Sequence, residues 1–243
     1  MKDGSLSTID NPNGYRFLII ISMLYMSTML CNAVLTNRYI GTDKIFVLGG
    51  TFSSPFIFLM DGIIAEIYGY KIAQCVIISG FLCQAIFTAI CQIVVVSPHP
   101  GFFQEEMAYS YIFGPSLMRI GISGFIAYIS ANLLNSYIIS RWKVLLKGKK
   151  FWMRSLGASV FSEGVYSFIA ILMMEIKSIP MNNIMNVIVL SYAIKATYSV
   201  IFAAPSTLLI DRIKKFTGID VYDLPKRFTP FEYLKPTQGA NKL

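Results

Sequence analysis

Long uncharged stretches separated by short polar connections set the pattern of this chain. Phe17 to Thr36 covers 20 residues and Ile72 to Val96 covers 25, without one Asp, Glu, Lys, Arg or His. A hydrocarbon layer about 30 Å thick is crossed by about 20 apolar residues in helical form. Read along the chain, this pattern predicts six membrane-spanning helices, at 17–37, 45–68, 72–97, 111–140, 155–175 and 184–210. Residues 1–16 read as a polar N-terminal segment, 17–210 as the membrane domain, and 211–243 as a basic tail. The expected fold class is all-α: a polytopic bundle of six transmembrane helices.

Composition agrees with the pattern. Of 243 residues, 55% are hydrophobic and 14% charged, and the mean hydropathy is +0.59. Soluble domains carry roughly 25% charged residues, so an ordinary soluble enzyme and a disordered chain are both excluded. The basic residues then orient the bundle, because Lys and Arg accumulate in cytoplasmic loops. With the N-terminus inside, 16 of the 21 fall on the cytoplasmic side and only Arg38, Lys44 and Lys177 on the other. Both termini are therefore expected in the cytoplasm. Basic loops facing anionic lipid headgroups account for the net charge of +8, and nucleic acid is not expected as a partner.

Cysteine chemistry adds little. Cys31, Cys75, Cys83 and Cys91 all lie in apolar segments, without a C-x-x-C or a Cys/His pair. They read as small packing residues, with no disulfide framework, metal site or cofactor expected. The N-terminus does not read as a cleaved signal, since its apolar run is too long and no A-x-A site follows.

The informative residues are the polar ones inside the spans, where a charge costs ~2.5–3.5 kcal/mol even on the lenient insertion scale. They are Asn32, Asp61, Glu66, Arg119, Asn132, Asn135, Glu163 and Lys195. Such groups either tie helices together or line a wet cavity. Glu163 and Lys195 each fall about 13–17 Å into consecutive antiparallel spans by the helical rise. That places opposite charges near the midplane, where they either neutralise each other or flank a solute. Asn132 and Asn135, at i and i+3, share one face of the fourth span. Glu66 and Arg119 lie nearer the ends of their spans, as candidates for charge pairing or gating. In the second span, Gly49-Gly50 followed by Ser53-Ser54-Pro55 reads as an interruption, the kind of break at which transporters expose backbone groups to substrate. A kinked helix is the competing reading.

The run Ser54-Pro55-Phe56-Ile57-Phe58-Leu59, followed by Glu66-Ile67-Tyr68-Gly69-Tyr70, resembles the second-helix signature of the queuosine precursor transporters, also called vitamin-uptake-type transporters. The likeness continues at Arg119, Asn132/Asn135, Phe151-Trp152 with Arg154, and Tyr192, Lys195 and Pro205, spanning about 17–212. The chain departs from the family pattern in its acids: Gly62 replaces the usual second-helix aspartate, and Glu163 and Tyr166 replace a glutamine and an aspartate. The resemblance implies a multi-pass inner-membrane importer of 7-deazaguanine compounds, the bases from which queuosine in tRNA is made. A guanine-like ring offers adjacent N–H donors that one carboxylate can accept, and aromatic side chains can stack on it. Glu163 is then the first choice for the ring edge and Asp61 the second, with Lys195, Asn132, Asn135, Tyr166 and Asn32 around them.

Three functional classes remain to be weighed. A solute importer without its own ATPase fits the absence of G-x-x-x-x-G-K-[ST], working by facilitated diffusion or by proton coupling through Asp61 or Glu163. A substrate-binding membrane subunit for another heterocycle or vitamin would need an energising partner, with Gly62, Ala65 and Gly69 as a docking face. An intramembrane enzyme is not expected: no histidine lies in a span, no H-E-x-x-H occurs, and Asp61 is the single in-span aspartate.

Overall fold

The computed structural model describes residues 12–43, 45–145, 151–176 and 178–221. Helix α1 (Pro12–Leu35) leads into strands β1 (Tyr39–Gly41) and β2 (Phe46–Leu48), followed by α2 (Gly50–Tyr68) and α3 (Tyr70–Val96). A short α4 (Glu106–Phe113) precedes α5 (Pro115–Leu145), α6 (Phe151–Glu175) and α7 (Met181–Thr217). Six helical segments are long and apolar enough to cross a membrane, with α4 and the start of α5 together making the fourth. Large side chains such as Ile20, Met23, Ile86, Ile90, Ile93 and Val189 point outward, about half exposed or more. That is the expected surface for a protein whose solvent is lipid. Cys31, Cys75 and Cys83 share this outer surface, so only Cys91 is the packing residue the sequence suggested.

Of the helix boundaries that differ from the sequence reading, three have a clear physical reason. The second span does not begin at 45, because residues 39–48 form an antiparallel hairpin with Tyr39 opposite Leu48 and Gly41 opposite Phe46. Gly41, at φ 136°, adopts a backbone open only to glycine. Helix α2 then runs unbroken from Gly50 to Tyr68 with Pro55 inside it. The Gly49-Gly50 pair is therefore a close approach and not a helix break. A Cβ on Gly50 would meet the side chains of Thr36 and Asn32, and one on Gly49 the carbonyl of Leu35. The fourth span is divided at Gly114-Pro115, where the Gln92 amide donates to the carbonyls of Phe113 (2.8 Å) and Gly114 (2.7 Å). Lastly, α7 continues to Thr217, ending on Gly218 in the left-handed conformation with Lys214 and Lys215 in its last turn.

The start of α1 and the end of α7 mark one face of the bundle, called the terminal face below, and the hairpin marks the opposite one. On the terminal face, Tyr68 donates to the Gly14 carbonyl (2.6 Å) and the Val221 N–H to that of Ile67 (3.2 Å). On the hairpin face, Tyr39 donates to the Glu175 carboxylate (2.6 Å). Partial burial and that carboxylate both push the Tyr39 phenol above its usual range, so it stays protonated and keeps donating. Leu48 of β2 is buried with Ile120, Ala170, Ile184 and Val187, which seats the hairpin among α5, α6 and α7.

Candidate functional site

Helices α6 and α7 lie antiparallel with a register that their serines record. Ser199 donates to Glu163 Oε1 at 2.9 Å, and Lys195 Nζ donates to Ser167 Oγ at 3.0 Å. Moving one turn along α6, from Glu163 to Ser167, moves one turn back along α7, from Ser199 to Lys195. The charges are thus offset by one turn, about 6 Å along the axis, and no ion pair joins them among the described residues. Both are almost fully buried, Glu163 at 1% and Lys195 at 3% exposure. The expected opposition of charges at one depth is replaced by a staggered pair, each held by a serine across the helix interface.

The stagger separates two clefts. Toward the terminal face, Glu163 lines a cleft between α2, α5, α6 and α7 together with Gly62, Asn135, Tyr198 and Ser199. Its Oε2 is buried and has no hydrogen-bond partner, which leaves one carboxylate oxygen free to accept. Asn135 is fixed beside it, its Oδ1 accepting from Ser162 at 3.4 Å. Toward the hairpin face, Lys195 and Tyr166 line a second cleft with Asn32, Thr36, Gly50, Thr51 and Ser54. A third opening shares Asn32 and Tyr166 and adds Gln84 and Tyr128.

Tyr166 is shared by the second and third of these spaces. Lys195 Nζ sits 4.7 Å from its ring centroid, a cation–π arrangement, and Phe58 meets it edge-on at 5.4 Å. Phe58 in turn stacks on Tyr128 at 5.3 Å. Asn32 is held by Ser53, whose hydroxyl donates to its Oδ1 at 2.8 Å.

Asp61 belongs to a separate arrangement. Its Oδ2 accepts from the Tyr128 hydroxyl at 2.8 Å, and Tyr25 donates to Tyr128 at 3.4 Å. Glu66 is paired at the terminal face, where Lys214 Nζ lies 2.9 Å from Glu66 Oε1 and 2.9 Å from Asp220 Oδ1. Arg119 is exposed near the start of α5, away from both clefts. Asn132 lies on α5, and its side chain is outside the described residues. Of the small residues offered as a docking face, Gly62 lines the cleft, Ala65 packs against the core and Gly69 makes the tight link to α3 at φ 86°.

The model of the family described as putative vitamin uptake transporters matches residues 48–210. The chain belongs to that family. No curated protein matches it, and no solved structure does. The match covers α2 through most of α7, so both clefts and both buried charges of this vitamin-uptake-type transporter fall inside or beside it. No cluster of three or more metal-ligating side chains occurs among its described residues.

Sequence reasoning found the charges and missed what holds them, Ser167, Ser199 and Tyr128, as well as the Thr51–Ser191 contact between α2 and α7. A signal existed for the serines. Ser191, Lys195 and Ser199 recur every four residues on α7, and Glu163 and Ser167 do so on α6. Such spacing is a polar stripe along one face of a helix.

Proposed function

We propose that this transporter imports 7-deazaguanine precursors of queuosine, queuine or its pre-queuosine bases, across the inner membrane, with both termini in the cytoplasm. The observation that carries the reading is Glu163, whose Oε2 is buried without a hydrogen-bond partner and which lines a cleft with Asn135, Phe58 and Tyr198. A guanine-type edge supplies N–H donors for that oxygen, and Asn135 can both donate and accept. Membership of an uptake family and the distribution of Lys and Arg support the direction and the orientation. In that orientation the Glu163 cleft faces the cytoplasm and the Lys195 cleft the outside, which suits a carrier opening alternately to each side.

Within this reading, Asp61 and Glu163 are the carboxylates a coupling proton would occupy. Uptake that rises as external pH falls would support coupling through them, and uptake indifferent to the gradient would leave facilitated diffusion. The substrate itself is tested in cells that neither make queuosine precursors nor possess an importer. Expression of this chain, with each precursor supplied at nanomolar concentration, is expected to restore queuosine to tRNA. Absence of restoration, with the protein present in the membrane, would overturn the substrate.

A further inference from the structure

The Lys195 cleft collects positive and donor groups without an acid among its lining residues. Helix α2 begins inside it: Gly50, Thr51 and Ser54 are all buried, and no side chain caps the first turn. At this helix start the Gly49 and Phe52 N–H groups donate to the carbonyls of Arg38 and Gly49, so the partial positive charge of the helix N-terminus is offered by the N–H groups of Gly50 and Thr51. Thr51 of this turn hydrogen-bonds to Ser191 at 3.1 Å, one helical turn before Lys195, which ties the start of α2 to the lysine's level on α7. Lys195 has three N–H donors and uses one on Ser167.

A second observation points to a ligand. Ser54 lines the same cleft, is 3% exposed, and its hydroxyl has no hydrogen-bond partner. A buried hydroxyl left unpaired is costly, and an acceptor in the cleft would satisfy it. No salt bridge reaches Lys195 among the described residues, and Glu163, one turn away, lines the other cleft, so the lysine lacks a direct counter-ion there.

We propose that the cleft formed by Lys195, Ser54 and the first turn of α2 binds a small anion, either a free halide or the carboxylate of a solute. Lys195 supplies the charge, Ser54 a hydroxyl donor and the helix start its N–H groups, the combination that makes helix N-termini anion sites elsewhere. The site depends on the transporter reading only for its place on the pathway, and not on which heterocycle is carried.

The test uses the purified full-length protein in detergent, with gluconate replaced stepwise by chloride or by acetate at constant ionic strength. A saturable rise in Tm is expected for at least one of the two. Lys195→Met is expected to abolish the rise, and Ser54→Ala to move its midpoint to about fivefold higher concentration, the value of one hydrogen bond. If chloride produces the rise and uptake into vesicles falls when chloride is withdrawn, the anion is free. If acetate alone produces it and uptake ignores chloride, the group belongs to a solute. No saturable rise with either ion, or an unaltered curve in Lys195→Met, overturns the proposal. Should Lys195→Met fail to fold, an unaltered curve in Ser54→Ala does so. The tRNA experiment reads none of these quantities, so either idea can fail alone.

Discussion

Glu163 and Lys195 are buried one helical turn apart on neighbouring antiparallel helices, each hydrogen-bonded to a serine of the other helix and not to each other. Direct contact would have spent both charges on joining α6 to α7. The stagger instead gives each charge its own cleft, one toward the hairpin face and one toward the terminal face. Buried charges are retained in membrane proteins where solutes or ions pass, and two separated sites of opposite sign suit a pathway with two ends.

Glu163→Gln keeps the shape of the side chain and the Ser199 contact but removes the charge. Uptake is expected to fall by about tenfold or more, since a charge-assisted bond contributes roughly 1.5–3 kcal/mol. Ser199→Ala is expected to retain uptake and to cost ~1 kcal/mol of stability. Initial uptake rates at matched membrane levels check both; equal rates for Glu163→Gln and the native chain would remove Glu163 from the site.

Tyr166 acts through its ring, with Lys195 over its face and Phe58 at its edge. Tyr166→Phe should therefore keep uptake and Tm close to native. Tyr166→Leu removes the π face beneath Lys195 and should cost ~1–2 kcal/mol. Thermal unfolding in detergent compares the two, and an equal loss in both would shift the role to the hydroxyl.

Tyr128 donates to Asp61 at 2.8 Å, and both are buried. Tyr128→Phe is expected to destabilise the protein by ~1.5–3 kcal/mol, because a buried carboxylate loses a donor. Asp61→Asn in the same background should recover part of that loss, as the double-mutant comparison in thermal unfolding would reveal. Additive losses would show that the two residues act independently.

Two glycines of α2 should respond oppositely to alanine. At Gly50 a Cβ would collide with Thr36 and Asn32, so Gly50→Ala should cost ~1–3 kcal/mol by overpacking. At Gly62 nothing lies within 4 Å, and alanine is the better helix former by ~1 kcal/mol. Gly62→Ala should then match or exceed native Tm while slowing uptake, because its methyl enters the Glu163 cleft. A Tm loss at Gly62 as large as at Gly50 would contradict the packing described here.

The sequence by itself determined the membrane fold, because six long apolar segments leave a chain no other way to satisfy its backbone. It also marked the charges, since an acid or lysine inside such a segment stands out against its neighbours. The polar stripe of Ser191, Lys195 and Ser199 was equally legible, though a stripe does not name its partner. Only the register between α6 and α7 decided that Glu163 meets Ser199 and Lys195 meets Ser167, and register comes from packing over the whole interface. The hairpin was hidden for a different reason. Its strands are three residues each, too short for an alternating pattern to register. Gly49-Gly50 likewise permits a break or a close contact, and it was the nearness of Thr36 and Asn32 from another helix that made it a contact.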